Sequence, residues 1–404
     1  MHVTVREEEL REIASEKSFY SRKILLVFGA SFLTYANISV FFHFYGYLGT
    51  LPIDARWYGL LMSVFSAVPL VLRPLISPFL HTGNAHRYAY AGTGFLMASL
   101  ALYSLATGFW SMLLIRGLHG FSFVLLGAAL MTMMVDYIPQ EKSAQFFGFL
   151  AVVVLIPNTI IPPVLPFLTR SLGGFPHVLL LFALISGLIF PMITFVHRHP
   201  SGSQPKEVFR PLSRAEVADD FKDVVIVAIL FSMLLLYSSH ALVFFFLDGF
   251  GKKIGIAGTG FFLTLSTAGE IGVRLLAGSL FDKINKTRLA VFSMASLAPV
   301  YLALSYVEGE HAFFIIGLLL GLGWGIPMPV FNGLMFNVSK PRLRAFNTNM
   351  AFQMFQGGFF LGPFIGAPVV EGWGFRALFG VCVLFSLASA ALMRMVERRI
   401  SKQQ

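Results

Sequence analysis

The residue with the clearest chemical potential is Glu270, a carboxylate inside a long apolar run of the chain. It lies about 12 residues, or roughly 18 Å, into a predicted helix, where an ionised group costs about 2.5–3.5 kcal/mol to insert. A carboxylate at that depth can exchange a proton or pair with a cationic ligand. Arg274 follows four residues later, so the two side chains share one helix face and can instead form a structural ion pair.

Further polar side chains are spread over the other apolar runs. Arg116 and His119 share one helix face, and each can also be a packing residue that bonds to carbonyls or neighbouring side chains. Polar groups in a bilayer tend to face the protein interior, where they contact a ligand or form interhelical hydrogen bonds of about 0.6 kcal/mol. The other candidates of this kind are Asn37, His43, Tyr237, His240, Asn332 and Gln353.

Motifs typical of soluble enzymes are missing from the sequence. It contains no P-loop, no HExxH, no GxSxG and no dinucleotide-binding fingerprint. The single cysteine, Cys382, has no partner for an internal disulfide and argues against a cysteine-based metal site. We therefore predict no catalytic residue, no metal site and no cofactor.

Composition identifies the class of protein in which these residues must be positioned. Apolar residues make up 56% of the 404 residues and charged residues only 12%, about half of the ~25% found in ordinary soluble domains. This excludes a disordered chain, a disulfide scaffold and almost any soluble enzyme, and it indicates a multi-pass protein of the lipid bilayer. We predict twelve membrane spans, over residues 24–48, 57–80, 88–107, 109–134, 145–168, 177–197, 223–247, 257–281, 289–307, 312–337, 346–370 and 375–396.

The distribution of positive charge predicts the orientation of these spans. When residues at span ends are counted with the nearer side, 22 of the 30 Lys and Arg residues lie on the side of the two termini and five on the opposite side, and three lie deeper within spans. The positive-inside rule therefore places both termini in the cytoplasm and the protein in the inner cell membrane. The same bias accounts for the net charge of +10 without a nucleic-acid partner.

An internal repeat divides the chain into two halves. A shift of 201 residues superposes Arg73 on Arg274 and Gly120 on Gly321 without gaps. We predict a cytoplasmic segment at 1–23 and a first six-helix half at 24–197. A cytoplasmic linker follows at 198–222, and the second six-helix half, with a short cytoplasmic tail, covers 223–404. Six spans in each half make the repeats parallel, an arrangement found in secondary transporters.

Several motifs in this frame match one family. The loop after Arg274 carries Gly278, Asp282 and Lys283 at the spacing of a G-x-L-x-D-[RK]-x-G-[RK]-[RK] motif, with Asn285 in place of the second glycine and with Arg288 directly after the motif. The copy after Arg73 has serine and His81 where that motif has glycine and aspartate, and Arg116 begins an R-x-x-x-G motif. Gly358, Gly362 and Pro363 fit a G-x-x-x-G-P-x-x-G motif. With these motifs the chain resembles the major facilitator superfamily along its whole length.

The resemblance implies an all-α membrane protein whose 12 transmembrane helices form two parallel six-helix repeats. It also implies roles for particular residues. Asp282 latches the cytoplasmic side in one state, whereas His81 gives the first half a weaker or pH-dependent latch. Arg116 lies on a span that lines the central cavity, and it assists coupling or binds an anionic group. The glycines around Pro363 form a helix that bends during gating, or one that is closely packed.

The expected function is secondary active transport of a small organic molecule by alternating access, without enzymatic activity. We favour proton-coupled export by a monomer, with protons as the coupling ion, since Glu270 and several histidines can titrate and the cavity spans are rich in apolar side chains. Proton-coupled uptake and uniport stay open, because the span 5 copy of the glycine motif is incomplete. A membrane-embedded lipid-modifying enzyme is the remote alternative.

Overall fold

Helices account for all the regular secondary structure in the residues that the computed structural model describes, namely 21–54, 57–135, 137–198, 211–256 and 259–403. The helices before the predicted linker are α1 (Arg22–Ser39), α2 (Phe44–Leu48), α3 (Tyr58–Ile76), α4 (Ala85–Leu102), α5 (Phe109–Val135), α6 (Ser143–Leu172), α7 (Phe175–Ser186) and α8 (Ile189–Arg198). Those that follow are α9 (Arg214–Asp220), α10 (Val224–Lys253), α11 (Thr259–Lys283), α12 (Lys286–Ser305), α13 (Glu310–Gly325), α14 (Pro327–Val338) and α15 (Arg344–Gln403).

These helices match the twelve predicted spans, with three differences in continuity. Helices α1 and α2 are joined by a 3-10 turn, and spans 6 and 10 are each divided into two helices. Spans 11 and 12 both fall within α15, where Gly374 interrupts the helix with φ 78° and ψ −177°. In the described residues, nine helical segments are long and apolar enough to cross a membrane. The predicted helical membrane fold is therefore confirmed.

The segment predicted as a linker contains a helix of its own. Helix α9 begins with a capping box, in which the Ser213 side chain accepts a hydrogen bond from the backbone of Glu216 and the Glu216 carboxylate accepts one from the backbone of Ser213. Such reciprocal bonds satisfy two of the free N–H groups at a helix start. The polar composition of 198–222 did not indicate this short helix.

The residues fall into two compact units. The first contains the described residues up to Pro139 together with Val153–Leu212, and the second contains Gln140–Val152 and the described residues from Ser213 onward. Helix α6 thus begins among residues of the second unit. In that unit Phe147 packs against Phe336 and Phe352, with ring centroids 6.3 and 6.1 Å apart.

The same helix contact occurs in both units. In the first unit Gly120 of α5 lies against α3, and an added Cβ atom would be 2.8 Å from the Phe65 carbonyl oxygen. In the second unit Gly321 of α13 lies against α11, and its Cβ atom would clash with the Ser266 carbonyl. Phe65 and Ser266 are themselves 201 residues apart. The repeat inferred from the sequence is therefore also a repeat of packing.

Helices α10 and α15 form another close contact in the second unit. Gly358 and Gly362 of α15 face Tyr237 and Ala241 of α10 so closely that a Cβ atom on either glycine would overlap them. Cys382 lies further along α15, fully buried, with its Sγ atom 3.8 Å from the Ser239 carbonyl oxygen as a donor. Small side chains therefore allow the two backbones to approach.

Candidate functional site

Glu270 and Arg274 form a buried ion pair on α11. Arg274 Nη2 is 2.9 Å from Glu270 Oε2, and the two side chains are only 4% and 8% exposed. Arg274 Nε also donates to the Gly325 carbonyl oxygen at 3.2 Å. That oxygen lies at the end of α13, and the residue four positions on is Pro329, which has no N–H to bond it. The break between α13 and α14 therefore supplies the acceptor that holds the arginine.

Aromatic and titratable groups surround this pair within the second unit. The His240 ring stacks on Trp324 at 4.1 Å between centroids, and Trp324 Nε1 donates to the Tyr301 hydroxyl at 2.6 Å. His240 is close enough to interact electrostatically with both Glu270 and Arg274. A carboxylate, an imidazole and a phenol are thus grouped in one region of the second unit.

Arg116 has its contacts entirely within the first unit. Its Nε and Nη2 atoms donate to the carbonyl oxygens of Leu61 and Met62 at 2.9 and 3.0 Å. Its guanidinium carbon lies 4.7–5.1 Å from the centroids of three rings, those of Phe41, Phe44 and Phe65. A buried cation is stabilised by such rings and by charge-assisted hydrogen bonds. The sequence did not identify this aromatic cage.

His119 lies next to the same aromatic cage. Its ring is 4.9 Å from Phe41 and 4.8 Å from Phe65, and its Nδ1 atom is 3.3 Å from the Tyr103 hydroxyl. The predicted shared face of Arg116 and His119 is therefore present, although each has protein partners already. Their predicted roles in coupling or anion binding stay predictions.

Arg73, the repeat counterpart of Arg274, is buried without such a partner. It is 5% exposed, and its Nε atom has no hydrogen-bond partner among the described residues. Its Nη2 atom lies 2.9 Å from the position a Cβ atom would take on Gly127. Ser77, one turn along, is also buried, and its hydroxyl has no partner within the described part of the chain.

Asp282 makes the contacts expected of a charged loop motif. Its two carboxylate oxygens accept from the backbone N–H groups of Ala144 and Gln145 at 3.0 and 2.7 Å, in the first turn of α6. Free N–H groups at a helix start favour an anion. Lys286 completes the cluster, with its Nζ atom 2.8 Å from Asp282. We did not single out Lys286 from the sequence, although it occupies a basic position of the motif.

The other motif residues have separate surroundings. Lys283 is exposed, and Arg288 pairs with Glu397 at 2.9 Å. The backbone N–H of His81 donates to the Asn84 side chain at 2.9 Å. The predicted latch roles of Asp282 and His81 are not tested by these contacts.

The remaining candidates are mostly engaged between or within helices. Asn37 donates to Ser186 at 2.9 Å, Asn332 donates to the Met328 carbonyl at 2.8 Å, and Tyr237 packs against the Phe355 ring at 5.2 Å. Their substrate roles stay predictions. Gln353 is buried, the side chains of His43 and Pro363 lie outside the described residues, and the backbone of Gly358 and Gly362 is helical. In the described residues, no cluster of three His, Cys, Asp or Glu side chains could hold a metal ion.

One titratable contact lies outside the membrane spans. Glu216 of α9 accepts a hydrogen bond from Arg342 Nε at 2.7 Å, and this contact, together with the bonds to Ser213, lowers the pKa of the Glu216 carboxyl to about 2. Asp220 of the same helix is buried, and this burial raises the pKa of its carboxyl. The α9 helix is therefore held in the second unit partly by charge.

Comparison with known proteins places these features in context. Residues 24–363 match the sequence model of the Major Facilitator Superfamily. The chain is 25% identical to the multidrug resistance protein MdtG of Enterobacter lignolyticus (strain SCF1), over 94% of this chain and 93% of that protein. Its fold is similar to the transporter FucP in the outward conformation, with a TM-score of 0.73, 12% identity and coverage of 94% and 99%. A bacterial homologue of the iron transporter ferroportin in the outward-facing state gives 0.73, 13% identity and coverage of 94% and 100%.

Proposed function

The chain belongs to the Major Facilitator Superfamily, and from that premise we propose that it exports a small, partly apolar organic molecule in exchange for protons. It is a membrane-embedded transporter and not an enzyme. The proposal adds three points: the direction of transport, the coupling ion and the residue that carries the proton. Both termini lie in the cytoplasm in this proposal, following the excess of Lys and Arg on their side. A monomer containing both halves is sufficient for alternating access.

One feature supports export, and a second supports an apolar substrate. The Enterobacter lignolyticus relative is a multidrug resistance protein. In addition, α10 and α15 carry an aromatic cluster beside His240, in which Phe359 lies 4.5 Å from Phe355 and 5.8 Å from Phe244 between ring centroids. Phe355 and Phe244 remain partly exposed at 39% and 46%. Such a surface suits a partly apolar molecule and offers no counterpart for a highly charged one.

Proton coupling is supported above all by the position of Glu270. It lies about 11 residues, or roughly 17 Å, from the start of α11 and so near the middle of the span. Glu270 can alternate between an ionised form paired with Arg274 and a neutral, protonated form. In the protonated form Arg274 loses its charged partner but keeps the Gly325 carbonyl. Protonation therefore changes the net charge of a buried region, which a conformational change can sense.

The experiment measures both movements in the same vesicles. Purified protein is reconstituted with a trapped pH-sensitive dye, and the lipophilic cation Hoechst 33342 is supplied as the first test compound. We expect protons to move opposite to the compound. Glu270→Gln should abolish the coupled proton movement, whereas Glu270→Asp should retain part of it. Glu371, an exposed carboxylate of the same unit, supplies the matched control Glu371→Gln, which should behave like the wild type.

Each other result contradicts a defined part of the proposal. Movement of protons with the compound would establish uptake by symport. Transport without any proton movement would establish uniport or another coupling ion. Normal coupling in Glu270→Gln would exclude Glu270 as the proton site. A large loss of folded Glu270→Gln protein, with normal coupling in what remains, would make the ion pair structural.

A further inference from the structure

Arg73 is a buried cation that lacks a counterion among the described residues. An arginine side chain stays protonated in proteins, and a buried charge is costly unless it is paired and hydrogen-bonded. Arg73 is 5% exposed, yet the described residues supply its Nε atom with no acceptor. Pro69 stands one helical turn before it, at the position where the second half has Glu270. The repeat has thus kept the cation and omitted the carboxylate.

The described residues of the first unit contain no carboxylate close enough to neutralise Arg73. Asp54 is the only carboxylate among the described residues of the first unit, and it lies before the start of α3. Arg73 is close to the opposite end of that helix, 15 residues or roughly 22 Å from its start at Tyr58. Asp54 is therefore too distant to neutralise Arg73. Asp136 lies outside the described residues, so its contribution is addressed by experiment below.

Two hydroxyl groups of the first unit are related to Arg73, one by helical spacing and one by an electrostatic interaction. Ser77 is one turn beyond Arg73 and is 1% exposed, and its hydroxyl is unpartnered among the described residues. Tyr35 of α1 is close enough to Arg73 for the two side chains to interact electrostatically. Each group can donate a hydrogen bond. A guanidinium with neighbouring hydroxyl donors is the donor set that carboxylate and phosphate oxygens require.

The approach of α5 explains how the guanidinium fits into this region. Its Nη2 atom lies over Gly127, at 2.9 Å from the position a Cβ atom would take there. Any side chain at residue 127 would therefore have to displace the end of Arg73. Glycine at residue 127 therefore leaves the space that the end of the guanidinium occupies.

We propose that Arg73, Ser77 and Tyr35 form a binding site for the oxyanion group of a transported organic anion. The inference rests on the proposed function, and it adds a further class of substrate to the apolar compounds considered there, namely small organic molecules bearing a carboxylate. A guanidinium binds a carboxylate through two parallel hydrogen bonds, and the ligand then supplies the charge that the first unit lacks. The same chemistry is present in phospholipid phosphates, so the experiment separates the two sources.

The first measurement is the thermal stability of purified protein in phosphatidylcholine nanodiscs with matched probes. Benzoate and 1-naphthoate supply the carboxylate, and benzamide and 1-naphthamide have the same skeletons without the charge. We expect the carboxylates to raise Tm and the amides to leave it unchanged. Arg73→Gln should weaken naphthoate binding by about tenfold or more, and Arg73→Lys by less, since lysine keeps the charge but loses the bidentate geometry.

A second variant tests position and not charge. Gly127→Ala should displace the guanidinium and weaken naphthoate binding severalfold while Tm without ligand changes little, because the displaced group is the flexible end of a side chain. Gly94, a helical glycine with open space around it, supplies the control Gly94→Ala, which should bind like the wild type. Arg73→Gln itself should keep or raise Tm without ligand, because it removes an uncompensated charge.

Three results would overturn the inference. Equal effects of carboxylates and amides on the wild type would exclude an anion site. Stabilisation by phosphatidylglycerol nanodiscs that depends on Arg73, without any effect of naphthoate, would assign the site to lipid. Equal losses of Tm in Asp136→Asn, Arg73→Gln and the double variant would identify an internal ion pair. If these results occur while Hoechst 33342 still drives proton movement, only the substrate class fails and the proposed exchange function stands.

Discussion

Arg73 and Arg274 occupy equivalent positions of the two repeats, but their surroundings differ in one decisive respect. Arg274 has a carboxylate at 2.9 Å and a helix-end carbonyl at 3.2 Å. Arg73 has proline in place of the carboxylate, and its Nε atom is without an acceptor in the described residues. The second half therefore holds a complete buried ion pair. The first half holds a buried cation with no counterion among the described residues.

A second pair of equivalent positions shows the same pattern. Arg116 of the first half corresponds to Gly317 of the second. The Arg116 guanidinium contacts the carbonyls of Leu61 and Met62, whereas Gly317 lies against the Phe262 ring, which leaves no room even for a Cβ atom. By contrast, the packing glycines Gly120 and Gly321 are the same in both halves. The repeats therefore share their helix contacts and differ in their buried charges.

The largest predicted effect compares the two arginines directly. Arg274→Met should destabilise the protein by about 3 kcal/mol, because it leaves Glu270 buried without a partner. Arg73→Met should leave stability unchanged or higher. Chemical denaturation of both variants in detergent micelles measures the difference. The double variant Glu270→Gln/Arg274→Met should recover most of the loss, and equal destabilisation by the two arginine variants would contradict the comparison.

The shared helix contact predicts an effect of similar size in both halves. Gly120→Ala and Gly321→Ala should each destabilise by about 1–3 kcal/mol, since each added methyl group meets a backbone carbonyl. Gly117 and Gly272 lie on helices α5 and α11 with nothing near an added Cβ atom. Their alanine variants are the controls and should be neutral or stabilising by up to about 1 kcal/mol. Unequal losses at residues 120 and 321 would show that the packing repeat is only approximate.

Arg116 provides a smaller test that separates structure from transport. Arg116→Met should lower the free energy of unfolding by about 1.5 kcal/mol. The variant loses the charge-assisted bonds to two carbonyls and the ring contacts, and removal of the buried charge offsets part of this loss. Arg116→Lys should fall between the variant and the wild type. Denaturation and Hoechst 33342 transport are measured on the same preparations. Loss of transport without loss of stability would assign Arg116 to coupling, as the family resemblance implies.

The smallest predicted effect concerns the contact between Glu216 and Arg342. In the repeat Arg342 corresponds to Glu141, so the first half cannot form the same pair at that position. The folded-state pKa of Glu216 is lowered to about 2, below the roughly 4.3 of an unfolded chain. Its stabilising contribution is therefore complete above about pH 5 and is lost as the pH falls from about 4.3 towards 2.

The Tm of the Glu216→Gln variant should therefore fall less between pH 6 and pH 3 than the Tm of the wild type. The effect is small, because the pair is partly exposed to solvent, and 0.5 M salt should weaken it further. Lys222 and Asp219 form a more exposed pair in the same segment. Lys222→Gln is therefore the control, and it should leave the acid profile unchanged. A Glu216→Gln profile that parallels the wild type would exclude this contact as a source of acid sensitivity.

The sequence predicted the fold well because membrane helices can be recognised from their length and apolar composition. The 201-residue shift also aligned Gly120 with Gly321, and the structure shows that both glycines pack closely against equivalent helices. The Glu270–Arg274 pair followed from helical spacing alone. These features depend on local sequence or on symmetry, both of which a single chain displays.

The parts that were missed depend on backbone groups that the sequence does not mark. Arg116 bonds to carbonyls of another helix, and a carbonyl is present at every residue. Arg274 finds an acceptor because Pro329 has no N–H group to bond the Gly325 carbonyl oxygen. The helix also breaks between these two residues, after Gly325. Lys286 was one basic residue among several in the loop, and only the position of α6 shows that it completes the Asp282 cluster.

The single buried cysteine has a practical consequence for observing transport. Thiol reagents require an accessible thiolate, and Cys382 is fully buried between α15 and α10. The native chain should therefore react little with maleimide labels. Pairs of cysteines introduced at exposed positions can carry spin labels or fluorophores with the native thiol left in place, so distances can be followed through a transport cycle in an otherwise unaltered protein.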